Sequence, residues 1–459
     1  MFVSRGPHTG PFVWSVFMAR NLTKGSIVGQ LLALSAPLLL GSILQQLYNA
    51  ADTIIVERYA GETAFAAVGV AGTVMNLFIF LVSGGCTGVS IVMASLFGAE
   101  DRDALRRESF MAAAFGMGFA VLLSVASILL IRPVLRLIST PDLLMPYAKT
   151  YLVIVFAGIP ATFLYNLCAA SLRAIGNTAR ATLFLIVAVV LNVLLDLLFI
   201  GALKMGVAGA ALATVLSQLA SALLCLVYII KKQAFLMFRK QDMRIDRALL
   251  GRTARFAAVS ALNQSSLYIG KLLVQGAVNS VSLDAISGFT AGSRIEALTN
   301  AFGVCGGEAL SVFVAQNLGA RQGDRARKGF GRGMLLLMAT GVVLSLVMFI
   351  PARPLVRLFI SSDTAGAVAE GVAYVRDVSI FYVICFADCA LLGWNRGSGE
   401  LDIFMIGTIG QVVLRVSFSW ILAPKLGLAG VAFATGIGWI CLVIFKTIMY
   451  FVRKKTEDF

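Results

Sequence analysis

Residues 178–230 read TARATLFLIVAVVLNVLLDLLFIGALKMGVAGAALATVLSQLASALLCLVYII, and this stretch decides the fold. It holds two apolar runs, approximately 179–202 and 207–230, each near the roughly 20 residues that carry a helix across a hydrocarbon core. Working outward, runs of the same kind recur at approximately 28–56, 66–97, 110–131 and 147–170 on one side. On the other they lie at approximately 253–278, 286–315, 329–351, 368–393, 403–423 and 428–451. The expectation is an all-α polytopic membrane protein with twelve transmembrane helices. No block is left for a soluble domain, which excludes nucleotide-hydrolysing and extracellular receptor domains. Composition agrees, since 59% of the 459 residues are hydrophobic and 13% charged.

The net charge of +15, from 38 Lys+Arg against 23 Asp+Glu, does not call for nucleic acid. The basic residues fall in short loops, and with both termini in the cytoplasm about 25 face that side and about 8 the other, as the positive-inside rule requires. The largest group is the amphipathic connector between Lys231 and Arg255, close to the chain's midpoint. The expected organisation is a cytoplasmic leader at 1–27, an N-lobe at 28–230, a linker at 231–255, a C-lobe at 256–452 and a tail at 453–459. The leader lacks the small-residue cleavage pattern of a signal peptide. It holds His8, the chain's one histidine, so histidine cannot serve as an intramembrane proton shuttle or metal ligand. The seven cysteines read as buried small hydrophobes. Phosphate-loop, HExxH, GxSxG and EF-hand patterns are missing, so no enzyme is expected; Gly329-Phe330-Gly331-Arg332-Gly333 reads as a loop-to-helix junction.

Adding 221 to first-half positions recovers second-half residues. Gly98-Ala99 falls on Gly319-Ala320, Asp103 on Asp324, Arg106 on Arg327, Arg132-Pro133 on Arg353-Pro354 and Asp142 on Asp363. Gly206, Ala208, Gly209, Ala211, Ala213 and Thr214 fall on Gly427, Ala429, Gly430, Ala432, Ala434 and Thr435. Each repeat holds an even number of spans, so the two six-helix repeats are parallel, related by an axis along the membrane normal. That is transporter architecture.

Where the repeats differ in membrane charge, chemistry is expected. Asp52 in the first span corresponds to Leu273; Asn192 and Asp196, one turn apart in the fifth, correspond to Val413 and Ser417. A carboxylate at membrane depth costs several kcal/mol unless it pairs, takes up a proton or binds a cation. Residues Leu191 to Leu198 include no Lys or Arg, so Asp52, Asn192 and Asp196, with the Thr214 hydroxyl, form a candidate site for Na⁺ or a shared proton. Pro37 is a hinge candidate. In the second half Lys271, Arg294, Glu296 and Asp388 form a candidate charged site, with Lys271 and Glu296 able to pair. Gly84 with Gly88 and Gly303 with Gly307 have the spacing of close helix contacts.

Ala36-Pro37, Gln46-x-Tyr48-Asn49-x-x-Asp52, Leu172-Arg173-Ala174-Ile175-Gly176-Asn177 and Asn192-x-x-x-Asp196 resemble the multidrug and toxic compound extrusion (MATE) transporters of the multidrug/oligosaccharidyl-lipid/polysaccharide superfamily. Arg294-Ile295-Glu296 and Asn395-Arg396-Gly397-Ser398-Gly399 are similar to the family's eighth-span and tenth-span segments, and the resemblance runs from about Leu22 to Arg453. It implies a secondary antiporter of the cell membrane that exports amphipathic, often cationic drugs or metabolites in exchange for Na⁺ or H⁺. No cofactor beyond the coupling ion and no nucleic acid are implied, and a monomer suffices. In the archaeal and DNA-damage-inducible branches the first-lobe site matches Asp52, Asn192, Asp196 and Thr214. Other branches carry acids in the seventh and tenth spans; this seventh span has none, and Asp388 stands about one turn from the tenth-span position. The alternative is a flippase for a lipid-linked saccharide of the same superfamily.

Overall fold

The computed structural model describes residues 21–360 and 365–457. Most of the expected leader, with His8, and Asp363 of the repeat lie outside the described residues. The first half runs through α1 (Ile27–Ala60), α2 (Glu62–Gly98), α3 (Arg102–Leu137), α4 (Met145–Ala157), α5 (Ile159–Ala174), α6 (Thr178–Asp196) and α7 (Gly206–Lys232). The second runs through α8 (Arg247–Asn279), α9 (Leu283–Gly319), α10 (Gly323–Phe349), α11 (Ala352–Arg357), α12 (Ala365–Ser379), α13 (Tyr382–Ser398), α14 (Leu401–Leu426) and α15 (Leu428–Glu457). The helices exceed the apolar runs because capped polar turns extend them. Asp101 accepts from the Ala104 N–H at 2.9 Å ahead of α3, and Asp246 accepts from Ala248 and Leu249 ahead of α8. Such caps satisfy backbone donors that a helix start leaves open.

Among the described residues nine helices are long and apolar enough to cross a membrane, and α4 with α5, bent by 46° at Gly158, makes a tenth. The α8 helix and the α12–α13 pair bring the traverses to twelve; they are the more polar ones, carrying Lys271, Arg376, Asp377 and Asp388. Two differences from the sequence reading stand out. The fourth and tenth traverses are broken, at Gly158 and at Ser379–Phe381, rather than continuous. Gly329 to Gly333 lie within α10, not at a junction, because Gly323 and Asp324 already start that helix.

The repeat is visible in the backbone. Its offset carries the break at Gly158 onto Ser379, and Glu100 and Arg321 share a φ of 58°. Thr214 and Thr435 donate to the carbonyls of Ala210 and Val431, four residues back in each case, at 3.0 and 2.9 Å.

Small residues let the two halves touch. On α2, a Cβ at Gly84 would stand 2.8 Å from the Ala261 Cα of α8, and one at Gly88 would strike the Phe256 carbonyl. Gly303 and Gly307 of α9 press in the same way on Cys389 of α13. At the end of the bundle where the 231–246 connector lies, α2 and α9 cross through equivalent glycines. Gly98 abuts the Gln316 carbonyl and Gly319 abuts the Ser95 carbonyl. Gln316 also donates to the Ala174 carbonyl at 2.7 Å and accepts from the Leu22 N–H, while Thr253 of α8 donates to the buried Glu108 of α3 at 2.8 Å. Arg255 and Arg453 both hold Asp402 there, at 2.6 and 3.0 Å. The connector end is closed.

Candidate functional site

Asp52 sits eight residues before the end of α1 at Ala60, and Asn192 and Asp196 form the last turn of α6. Directly after Asp196 the chain widens into a π-helical turn, Leu197–Ala202. Such turns are rare and concentrate at functional sites. Here the turn carries Asp196 into the bundle, where it is fully buried, with Asn192 at 2% exposure. Asp52 lies within electrostatic reach of Asp196. Both Asp196 oxygens, both Asn192 side-chain polar atoms and Asp52 Oδ1 are buried and take part in no hydrogen bond. Buried polar atoms are nearly always paired, so five open atoms at one spot describe a site built for a further partner.

Around this centre stand two residues that the sequence reading missed. Tyr48, one turn before Asp52 on the same face of α1, and Tyr151 of α4 both interact with the Thr214 hydroxyl and with the two aspartates. Tyr151 also reaches the Met75 sulfur of α2 at 3.8 Å. The four expected residues therefore come together, drawn from α1, α6 and α7. The Tyr48 signal was available in the i, i+4 spacing to Asp52; Tyr151, about a hundred residues away, had none. The donor set is oxygen, apart from the Asn192 amide nitrogen, and suits a hard cation or a proton. No Lys or Arg shares in it.

Pro37 lies within α1, which runs unbroken through it. Its carbonyl accepts from the Thr182 hydroxyl of α6 at 2.9 Å, and Leu185 and Thr182 pack on Gly41 one turn on. The segment around the proline is thus latched to the helix that carries Asp196.

The second-half candidates separate. Asp388 is not open: Lys446 of α15 pairs with it at 2.6 Å, with both side chains buried. A sequence reading that looked for partners within the span could not see a lysine 58 residues on, and the apolar run around Lys446 hid its charge. Lys271 and Glu296 interact without forming an ion pair. Glu296 instead faces Arg415 of α14 and Tyr374 of α12 as its stronger partners. Arg294 projects into a separate cavity of about 560 Å³ beside Phe359 and Ile360. The seven cysteines are free; five are buried, Cys389 is partly so and Cys441 is exposed, which departs from the all-buried expectation.

A sequence model of the MatE family matches the chain twice, over residues 37–198 and 259–421. Among curated proteins, the probable multidrug resistance protein YpnP of Bacillus subtilis is 27% identical over 423 residues, covering 92% of this chain and 94% of its own. The FAD transporter of Shewanella oneidensis is 26% identical over 339 residues, covering 72% and 74%. A solved structure of a multidrug resistance MATE family transporter in an outward-facing conformation superposes with a TM-score of 0.88 at 23% identity, over 95% of this chain and 98% of that one. That likeness concerns the fold.

Proposed function

The chain belongs to the MatE family of multi-pass membrane transporters, and on that premise we propose that it is a secondary antiporter exporting amphipathic drugs or metabolites, often cationic, in exchange for Na⁺ or H⁺. The names of its relatives, multidrug resistance protein and FAD transporter, support that substrate range. The observation that carries the coupling is the Asp52–Asp196 pair, two interacting carboxyls with open oxygens and no basic partner. Neither can stay charged at that depth without a counter-charge. A Na⁺ held by Asp52, Asn192, Asp196 and Thr214, or a proton shared by the two aspartates, supplies it.

The mechanism is alternating access of an N-lobe at 28–230 and a C-lobe at 256–452, joined by the 231–255 linker. The basic connector marks the cytoplasmic side, with both termini there and the protein in the cell membrane. The glycine crossing of α2 and α9 is then the cytoplasmic gate in its closed state, with the coupling site reached from outside. A cation or proton arriving from outside neutralises Asp52 and Asp196, which lets α1 repack against α6 around Pro37 and releases substrate outward. Its discharge to the cytoplasm resets the lobes. One inward charge contributes about 2.3 kcal/mol per 100 mV, which sustains roughly a fiftyfold gradient of a neutral substrate. No cofactor and no second subunit enter this cycle.

The test is efflux of a fluorescent lipophilic cation from proteoliposomes under an imposed Na⁺ or H⁺ gradient at zero voltage. The expected result is gradient-driven efflux that Asp52→Asn and Asp196→Asn each abolish while both variants insert and remain monodisperse. Efflux unaffected by either gradient, with substrate still bound, overturns the antiporter reading in favour of lipid-linked saccharide flipping.

A further inference from the structure

The centre of the C-lobe gathers one side chain from each of five helices: Lys271 of α8, Glu296 of α9, Tyr374 of α12, Tyr382 of α13 and Arg415 of α14. Each is within electrostatic reach of others in the group. Lys271 and Arg415, with Arg294 also acting on Lys271, face one carboxylate. Asp388 does not restore the balance, because it is bound to Lys446 at 2.6 Å. The hydrogen-bonding is equally one-sided. Arg415 Nε and the Tyr382 hydroxyl are buried and have no partner, and the tyrosine is fully enclosed. Lys271 remains exposed although Glu296 and Arg415, on two other helices, are its neighbours.

A surplus positive charge and unpaired donors at membrane depth are both costly. One group relieves both at once, a carboxylate or phosphate, which brings a negative charge and acceptor oxygens. The planar arginine fork offers two parallel donors to such an oxyanion. We propose that Lys271, Arg415 and Tyr382 bind the oxyanion of the transported substrate, so that zwitterionic and anionic amphiphiles are bound in preference to simple lipophilic cations. This rests on the export reading above and narrows it: the acidic site of the N-lobe serves the coupling ion, and the basic site of the C-lobe serves the substrate.

The probes are three dansyl amides on the same octyl chain, ending in a carboxylate, a phosphate or a trimethylammonium group. Binding is read by dansyl fluorescence on the purified protein, and transport by efflux from proteoliposomes under an ion gradient. The expected result is that the carboxylate or the phosphate probe binds at least tenfold more tightly than the ammonium probe. Lys271→Met, at an exposed position that folding does not need, should remove at least tenfold of that affinity and leave ammonium binding unchanged. Arg415→Lys, which keeps the charge and loses the fork, should weaken the anionic probe by a smaller factor. Preference for the carboxylate or the phosphate arm identifies which oxyanion the substrate carries. Export of the ammonium probe alone, or anionic binding that Lys271→Met leaves intact, overturns the proposal while the antiporter reading stands. Gradient-insensitive movement of all three probes overturns the antiporter reading instead.

Discussion

Removing Lys446 tests whether the C-lobe is held by its buried ion pair. The Lys446 Nζ lies 2.6 Å from Asp388 Oδ1, and the side chains are 0% and 5% exposed. The lysine stem reaches inward past Gly407, where an added Cβ would stand 2.7 Å from its Cε. Lys446→Met keeps most of the volume and leaves the aspartate buried without its cation, which should cost about 3–5 kcal/mol. Asp388→Leu strands the ammonium and should cost a similar amount. The double variant removes both charges and fills the space with apolar atoms, so it should lie between neutral and about 4 kcal/mol more stable than the wild type. The predicted signature is strong non-additivity, several kcal/mol of coupling where independent sites agree to within about 0.5 kcal/mol. The assay is reversible unfolding in mixed micelles with increasing SDS, read by tryptophan fluorescence; Trp439, on α15 with Lys446, packs edge-on against Tyr382 with ring centroids 5.6 Å apart. Single variants that each cost under about 1 kcal/mol, or a double variant equal to their sum, would refute the pairing.

Two further outcomes follow from the packing. Gly98→Leu places side-chain atoms where the Gln316 carbonyl of α9 lies, so the connector end should fail to close; spin labels at Arg106→Cys and Arg327→Cys should report a longer distance than in the parent, and an unchanged distribution would count against the glycine gate. Thr182→Val deletes the hydroxyl that bonds Pro37 at 2.9 Å and should cost about 1 kcal/mol in the same SDS titration, with a wild-type curve ruling out the latch.

Long-range pattern was legible in the sequence and cross-helix pairing was not. Span number and the offset of 221 both follow from hydrophobicity and spacing, which every residue of a helix helps to report. Asp52, Asn192 and Asp196 were legible for a related reason, since a carboxylate without a basic neighbour in its own apolar run must find its counter-charge elsewhere. Tyr151 and Lys446 carry no such local sign. Their roles depend on which helix faces which, and that is set by close approaches such as Gly84 on Ala261 and Gly307 on Cys389. The breaks at Gly158 and Ser379 were hidden for another reason: each lies inside an apolar run long enough to pass as one helix.

The two polar centres lie on equivalent helices of the repeat but have opposite chemistry. Subtracting 221 carries Glu296 onto Met75, whose sulfur lies 3.8 Å from the Tyr151 hydroxyl at the acidic centre of the first half. The same shift carries Lys271 onto Ala50 and Arg415 onto Leu194, each two residues from Asp52 or Asp196 and so turned to another face of its helix; Lys446 falls on Cys225 and Asp388 on Leu167. Every charge at one centre thus has an uncharged counterpart at the other, while the backbone around both keeps its shared features, down to the paired bonds of Thr214 and Thr435. Duplication supplies a common scaffold, and on it the two halves carry their charges at different positions. The antiport proposed above needs two ligands that differ, and opposite charges in the two halves would separate them while the helices stay where they are. In that proposal a cation near Asp52 and Asp196 and an oxyanion near Lys271 and Arg415 would act on opposite halves of one scaffold.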